Sequence, residues 1–330
     1  MVVKKSTLFR FIFFPLLFAL VGWFFVARVY RPPIVERTQL MMDTFWTIKI
    51  PGGKNRIPVI NKVFKRLKDI DDKFNISDPQ GQIYQFNHRN KPITDPEIIA
   101  VIKRAREVNT LSNGAFDITV GPLLEAFGFF SRQYRVPPKT EINALLQHVG
   151  MKYLLIQNDR VSKIDPHVGI DLGGIAKSYA ISEAVRVIRA NGVKNAMVDG
   201  GGDLYAMGFY AGKPWMVGVR HPRKDEILGR FAVTDMAVFS SGDYERYFIE
   251  KGVRYHHILD PKTGFPARGV LGTTVIYGNL DKIGGLSSSL FIMGSKKGLE
   301  FIDDVPGAAA IFVDDKQKVL FSKELYRNLN

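Results

Sequence analysis

The chain contains no cysteine. That absence excludes disulfide staples, cysteine-ligated zinc, a thiol nucleophile and a lipid-modified N-terminal cysteine. It fixes no compartment, but it suits an exported protein, in which an unpaired thiol is a liability. No internal repeat and no low-complexity stretch occurs, which excludes solenoids and long disordered linkers. Acidic residues are scarce beside basic ones, 32 against 46, for a formal net charge of +14. Such a surplus attracts nucleic acid, anionic lipid or a phosphorylated substrate. No nucleic-acid motif and no aromatic-basic stripe accompanies it. A basic solvated surface near a membrane is the plainer reading, and no nucleic-acid partner is expected.

Hydrophobic residues make up 46% of the 330 and charged residues 24%, a globular composition with chain enough for a substantial core. Residues 11–27 are uncharged and apolar. As a helix they span about 26 Å at about 1.5 Å per residue, just short of a bilayer's hydrocarbon core; Val29 and Tyr30, with Arg28 snorkelling, complete the crossing. Lys4, Lys5 and Arg10 precede the run, and Val26-Ala27-Arg28 makes a poor cleavage site. The expectation for 1–33 is an uncleaved anchor in the inner membrane ending in a stiff Arg31-Pro32-Pro33 spacer, with 34–330 as one domain on the periplasmic, extracytoplasmic side. A cleaved signal peptide puts the body on the same side.

Apolar spacing predicts a helix over 57–73, with Val59, Ile60, Val63, Phe64, Leu67 and Ile70 on one face. It predicts another over 95–110, with Ile98, Ile99, Ile102, Ala105 and Val108 inward and Asp95-Pro96 as cap and first turn. Further helices are expected at 141–149, 174–191, 281–293 and 296–302. Strands are expected at 44–50, at 153–157 and 161–164 around an Asn158-Asp159 turn, and at 195–199, 204–208, 215–220, 230–235, 237–240 and 272–277, with a hairpin over 309–321. Helices and strands interleave without strict alternation, which predicts an α+β fold with a mixed sheet and flanking helices.

Four segments carry chemistry. Gly169-Ile170-Asp171-Leu172-Gly173-Gly174-Ile175-Ala176-Lys177 opens the helix at 174–191; its glycines admit a ligand close to the backbone, and a helix N-terminus with a lysine favours an anion. Asn113-Gly114-Ala115-Phe116-Asp117-Ile118-Thr119-Val120-Gly121-Pro122-Leu123 is a glycine-rich segment with one acid, read structurally as a turn entering a strand. Ser240-Ser241-Gly242-Asp243-Tyr244-Glu245-Arg246-Tyr247 is a polar turn. Tyr255-His256-His257-Ile258-Leu259-Asp260-Pro261-Lys262-Thr263-Gly264-Phe265-Pro266 is another, in which a histidine precedes Asp-Pro and makes an acid–base candidate. Each has an ordinary structural reading when taken alone.

In this order, and with Met42-Asp43-Thr44 before them, the segments resemble the signature of the ApbE family, the FAD:protein FMN transferases. The resemblance runs from about residue 40 to the C-terminus. It implies a T-fold-like α+β domain that binds FAD in a cleft and, with Mg²⁺, transfers the FMN half to a threonine or serine hydroxyl of an acceptor protein, releasing AMP. The acceptor carries a D-G-x-T-G-A-T-like segment and, by family analogy, belongs to a membrane redox complex. By position, Met42, Ser77, Ala115, Phe116 and Asp117 line the flavin site. Gly173, Gly174 and Lys177 hold phosphate, and the Ala176 carbonyl is a metal ligand. His257 is the base, held by its Asp260 turn, with Asp243 and Arg246 in support.

Three departures from the family pattern stand out. The family helix carries magnesium-binding Asp and Thr four residues apart; here these positions are Gly284 and Ser288. Ser288 still offers an oxygen, and Asp281, one helical turn before Gly284, is the nearest replacement acid. Ser77 stands where an aromatic residue stacks on the flavin. Ser178 replaces the glycine after Lys177, and Ser182 replaces a helix aspartate. A flavin-binding homologue with little transferase activity is the alternative these departures leave open.

Overall fold

The computed structural model describes residues 31–157 and 159–325. The apolar run at 11–27 lies outside the described residues, as does Asn158 of the expected turn; among the described ones no helix is long and apolar enough to cross a membrane. The expected spacer is tied to the body. The Tyr210 hydroxyl donates to the Pro32 carbonyl at 3.2 Å, and the Gly52 N–H donates to the Pro33 carbonyl at 2.8 Å.

A hairpin opens the domain, β1 (Ile34–Met41) and β2 (Thr44–Pro51). Helices α1 (Ile57–Phe74), α2 (Gln82–Arg89), α3 (Pro96–Leu111), α4 (Gly121–Ala126) and α5 (Lys139–Leu146) follow. A small hairpin, β3 (Leu154–Gln157) and β4 (Arg160–Lys163), leads to the long helix α6 (Gly173–Ala190). Then come β5 (Ala196–Gly200), β6 (Asp203–Met207), β7 (Trp215–Arg220), β8 (Ile227–Val233), β9 (Met236–Gly242), β10 (Tyr247–Glu250), β11 (Val253–His256) and β12 (Val270–Tyr277). Helix α7 (Leu286–Asp303), β13 (Ala308–Asp314) and β14 (Val319–Phe321) complete the described chain.

Eight strands form one sheet in the order β1-β2-β5-β6-β9-β12-β13-β14. Every neighbouring pair is antiparallel, so the α+β class holds but the expected mixed sheet does not. The cause is visible between β12 and β13. Gly294 leaves helical geometry (φ 79°, ψ 166°) and breaks α7 in the middle. The chain doubles back through two short helices and re-enters the sheet from the same end, which forces an antiparallel partner. The two helices expected at 281–293 and 296–302 fall on either side of that break, the first starting later, at Leu286.

Helix α1 buries Val59, Ile60, Val63, Phe64, Leu67 and Ile70, the face its spacing predicts. Its N-cap, Arg56, makes no side-chain cap bond. A cap is worth about 1 kcal/mol, whereas each buried aliphatic side chain contributes about 1.5–3 kcal/mol. Packing against α6 and the sheet, not capping, holds α1 in place. Helix α3 has both: Asp95 accepts from the N–H groups of Glu97 (2.8 Å) and Ile98 (3.1 Å).

Charge pairing stitches α1, α3 and α6 together. Arg66 and Lys73 of α1 pair with Glu97 of α3, and Arg66 reaches Glu183 of α6 at 2.7 Å. Burial works against ionising Glu97, but hydrogen bonds from Arg66, Lys73 and Tyr179 outweigh it and hold its carboxyl at about 2. Its unfolded value is 4.5, so the stabilisation is complete above that pH and drains away as pH falls toward 2. Glu97→Gln is therefore expected to flatten the loss of urea stability between those two pH values, while wild type steepens there. Parallel slopes in the two proteins would contradict the assignment.

Candidate active site

The first turns of helices α6 and α7 meet over one aromatic ring. A Cβ on Gly174 would come within 2.8 Å of the Phe116 ring, and one on Gly285 within 3.2 Å of its other atoms. Phe116 is buried between them, held by its N–H to Ser112 Oγ (3.1 Å) and by Asn109 Nδ2 on its carbonyl (2.7 Å). The start of α4 also hugs the chain before α6: a Cβ on Gly121 would meet the Gly169 and Ile170 backbone at 3.0–3.2 Å. Glycine at these places is a packing requirement that brings two helix N-termini side by side. Their aligned dipoles make the spot favourable for an anion.

Lys177, one turn into α6, reaches across to the sheet and pairs with Asp203, which follows the Gly200-Gly201-Gly202 run. Asp203 is buried, and its other oxygen accepts from the Ser240 N–H at 2.8 Å. Lys177 also lies near enough to Glu245 and His257 to act on their titration, as Arg246 does on Asp171. Burial pushes the carboxyls of Asp171 and Glu245 up. The glycine turn, the Ser240–Arg246 turn and the His257 turn thus converge on the N-terminal end of α6.

His257 follows the β10–β11 hairpin. Its ring packs at 6.4 Å, centroid to centroid, from Phe129, and its Nδ1 lies 3.2 Å from the Arg246 carbonyl. A carbonyl only accepts, so the proton sits on Nδ1 and Nε2 keeps its lone pair. Crowding lowers the imidazole's pKa to about 3, with Arg246 adding to the effect. The ring edge still reaches the surface. A base of this kind stays neutral across pH 5–8. The rate of any reaction it assists is expected to be level over that range, without an inflection near the ordinary histidine value of 6.5. A pH–rate profile that halves near that value would contradict this.

The other expected residues fall into two groups. Ala115, Phe116, Gly173, Gly174, Ala176 and Lys177 gather at the helix starts, with Gly173 and Gly174 exposed. Ser288 of α7 joins them through Ser241, Oγ to Oγ at 3.1 Å. Met42 sits at the tip of the first hairpin with φ 51° and gives its N–H to Asp71 at 3.1 Å. Ser77 is exposed in the bend after α1. Asp117 is consumed by its own turn: it accepts from Thr119 N–H (2.8 Å), Thr119 Oγ (2.6 Å), Met151 N–H (3.2 Å) and Asn109 Nδ2 (3.3 Å).

The residues expected in support have contacts of their own. Asp260 accepts from the Lys262 N–H at 2.9 Å and closes its own turn; the group that holds His257 is the Arg246 carbonyl. Asp243 is clamped by Arg223 through two hydrogen bonds of 2.7 and 2.5 Å. Helix α7 starts at Leu286, not near 281, so Asp281 does not precede Gly284 by a helical turn. Asp281 accepts from Ser182 Oγ at 2.8 Å and pairs with Arg104 and Arg186 at 3.2 and 3.5 Å. The expected turn into a strand after Asp117 is instead α4. Sequence reasoning missed Asp203; a glycine run ending in an acid was the available signal.

Glycine turns and paired helix starts beside a histidine, at one end of an antiparallel α+β domain, make a setting that suits an enzyme handling phosphorylated ligands. The ApbE family matches residues 42–312, and the chain belongs to that family. The FAD:protein FMN transferase of Vibrio cholerae is 30% identical over 83% of this chain and 86% of its own. That of Haemophilus influenzae is 31% identical over 71% and 72%. The crystal structure of the ApbE protein of Thermotoga maritima, 36% identical, superposes with a TM-score of 0.83 over 89% of this chain and 99% of that one. The flavin transferase ApbE of Vibrio cholerae, 26% identical, superposes at 0.79 over the same shares.

Proposed function

We propose that this chain transfers the FMN half of FAD to a threonine or serine hydroxyl of an acceptor protein and releases AMP. The observation that carries this is the convergence of Lys177 and the α6 N-terminus on His257, whose Nε2 is left free to accept a proton. Lys177 and the helix N–H groups hold the diphosphate and offset its charge. The acceptor oxygen attacks the phosphorus of the FMN half as its proton passes to His257 Nε2. A new P–O bond forms, the diphosphate P–O bond breaks, and AMP leaves with the bonding pair. No covalent enzyme intermediate is required.

A divalent ion would neutralise the diphosphate, as family resemblance implies for Mg²⁺, but this chain's donor set does not fit a pre-bound ion. Among the described residues no three His, Asp or Glu side chains come together as ligands. Gly284 has no side chain, Asp281 already meets two guanidinium groups, and the adjoining helix starts favour anions. Ser288 and Ala176 offer neutral oxygens, and the one carboxylate at the α6 start, that of Asp171, already accepts from the Gly173 N–H at 3.2 Å.

The apolar run at 11–27 behind Lys4, Lys5 and Arg10 supports an inner-membrane anchor with this domain on the extracytoplasmic side, and a membrane redox-complex subunit as acceptor. The test is incubation of the full chain with FAD, Mg²⁺ and a peptide bearing a D-G-x-T-G-A-T-like segment, read by mass spectrometry. A peptide heavier by FMN, with AMP released, is expected. FAD binding without transfer at any Mg²⁺ concentration would favour the alternative, a flavin-binding homologue, which the side-chain-free position 284 makes specific.

A further inference from the structure

Position 284 is closed by a neighbour, not by its own backbone. Gly285 needs glycine, since its φ of +79° lies in the left-handed region. Gly284 has no such φ. What excludes a side chain there is crowding: a Cβ would lie 2.2 Å from Ser178 Oγ and 3.0 Å from Ile175 Cγ1. Ser178 cannot readily turn away. It is 2% exposed, and its hydroxyl donates to the Ile175 carbonyl at 2.7 Å. Ser178→Gly removes both that hydroxyl and the Ser178 Cβ at 3.1 Å, and leaves the buried Ile175 Cγ1 as the remaining close neighbour.

We propose that Ser178 and Gly284 form one coupled pair: the serine fills the space a side chain at 284 would need, which keeps a carboxylate out of that position at the junction of α6 and α7. The chain then holds no divalent ion by itself, and an ion enters the crevice only on the diphosphate of the bound nucleotide. The second half of this rests on the transferase reading; the coupling between 178 and 284 does not.

The experiment is a double-mutant cycle on the full chain with Ser178→Gly, Gly284→Asp and the pair, and a parallel cycle with Gly284→Ala in place of aspartate. Thermal midpoints and Mn²⁺ binding, the latter from the electron paramagnetic resonance signal of free Mn²⁺, are read with and without FAD. Gly284→Asp and Gly284→Ala are each expected to lower the midpoint in the wild-type background and to lower it much less beside Ser178→Gly. Without FAD, wild type and both single variants are expected to leave Mn²⁺ free. The Ser178→Gly/Gly284→Asp pair is expected to bind it at least about tenfold more tightly, as one added carboxylate should. With FAD, wild type is expected to take up Mn²⁺.

Equal destabilisation by Gly284→Ala in both backgrounds would overturn the coupling, even if the aspartate pair fails to fold. Tight Mn²⁺ binding by wild type without FAD would overturn the claim that the ion arrives with the nucleotide. Both readouts are independent of transfer. A failure of the proposed activity therefore leaves the cycle standing, and a failure of the cycle leaves the activity assay untouched.

Discussion

His257→Ala is expected to slow flavin transfer by about 10²–10⁴-fold while leaving FAD affinity within about threefold. The split follows from geometry. The ring's one polar contact among the described residues is through Nδ1 to the Arg246 carbonyl, so Nε2 is unspent. His256, its neighbour, cannot stand in: it is buried with Nε2 on the Ala267 carbonyl at 2.9 Å and Nδ1 accepting from the Ile258 N–H at 3.3 Å. A loss smaller than about tenfold would remove His257 from the reaction. A matching loss of FAD affinity would make it a binding residue instead.

Lys177→Ala is expected to weaken FAD binding by about 10–100-fold, the worth of a charge-assisted contact to phosphate. It should also cost stability, because Asp203, whose side chain is only 7% exposed, loses its cation. The two effects separate in a second variant. Lys177→Ala with Asp203→Asn should recover most of the stability, since the amide still accepts from Ser240, and recover none of the FAD affinity. Affinity that returns with stability would mean that Lys177 only props the sheet against α6.

Much of this architecture is written locally in the chain. The apolar stripe of α1 and the Asp95-Pro96 start of α3 follow from side-chain spacing and cap chemistry, and both appear where spacing puts them. Helix α7 is different. Leu280 and Ile283 continue its apolar pattern backward and are themselves buried, so periodicity extends the helix too far. The left-handed Gly285 ends that extension, and periodicity carries no signal of it. The small β10–β11 hairpin hides in the same way among residues that read as a polar turn, although Lys251-Gly252, both at positive φ, mark its bend.

The chemical groups of the crevice were legible as motifs, but their partners were not. Lys177 and Asp203 are distant in sequence and meet only because α6 packs on the sheet. The Arg246 carbonyl that orients His257 is a backbone atom, invisible to any reading of side-chain types. Asp260 and Asp281 look available in the sequence, and both are taken up by nearby donors once the chain folds.

Hydrogen exchange of the full chain with and without FAD tests the common crevice most directly. Amides of 171–177, 200–203, 240–246 and 285–289 should slow together on adding FAD, whereas those of the β3–β4 hairpin should not change. Protection confined to one of these stretches, or spread evenly over the domain, would show that the turns do not share a ligand.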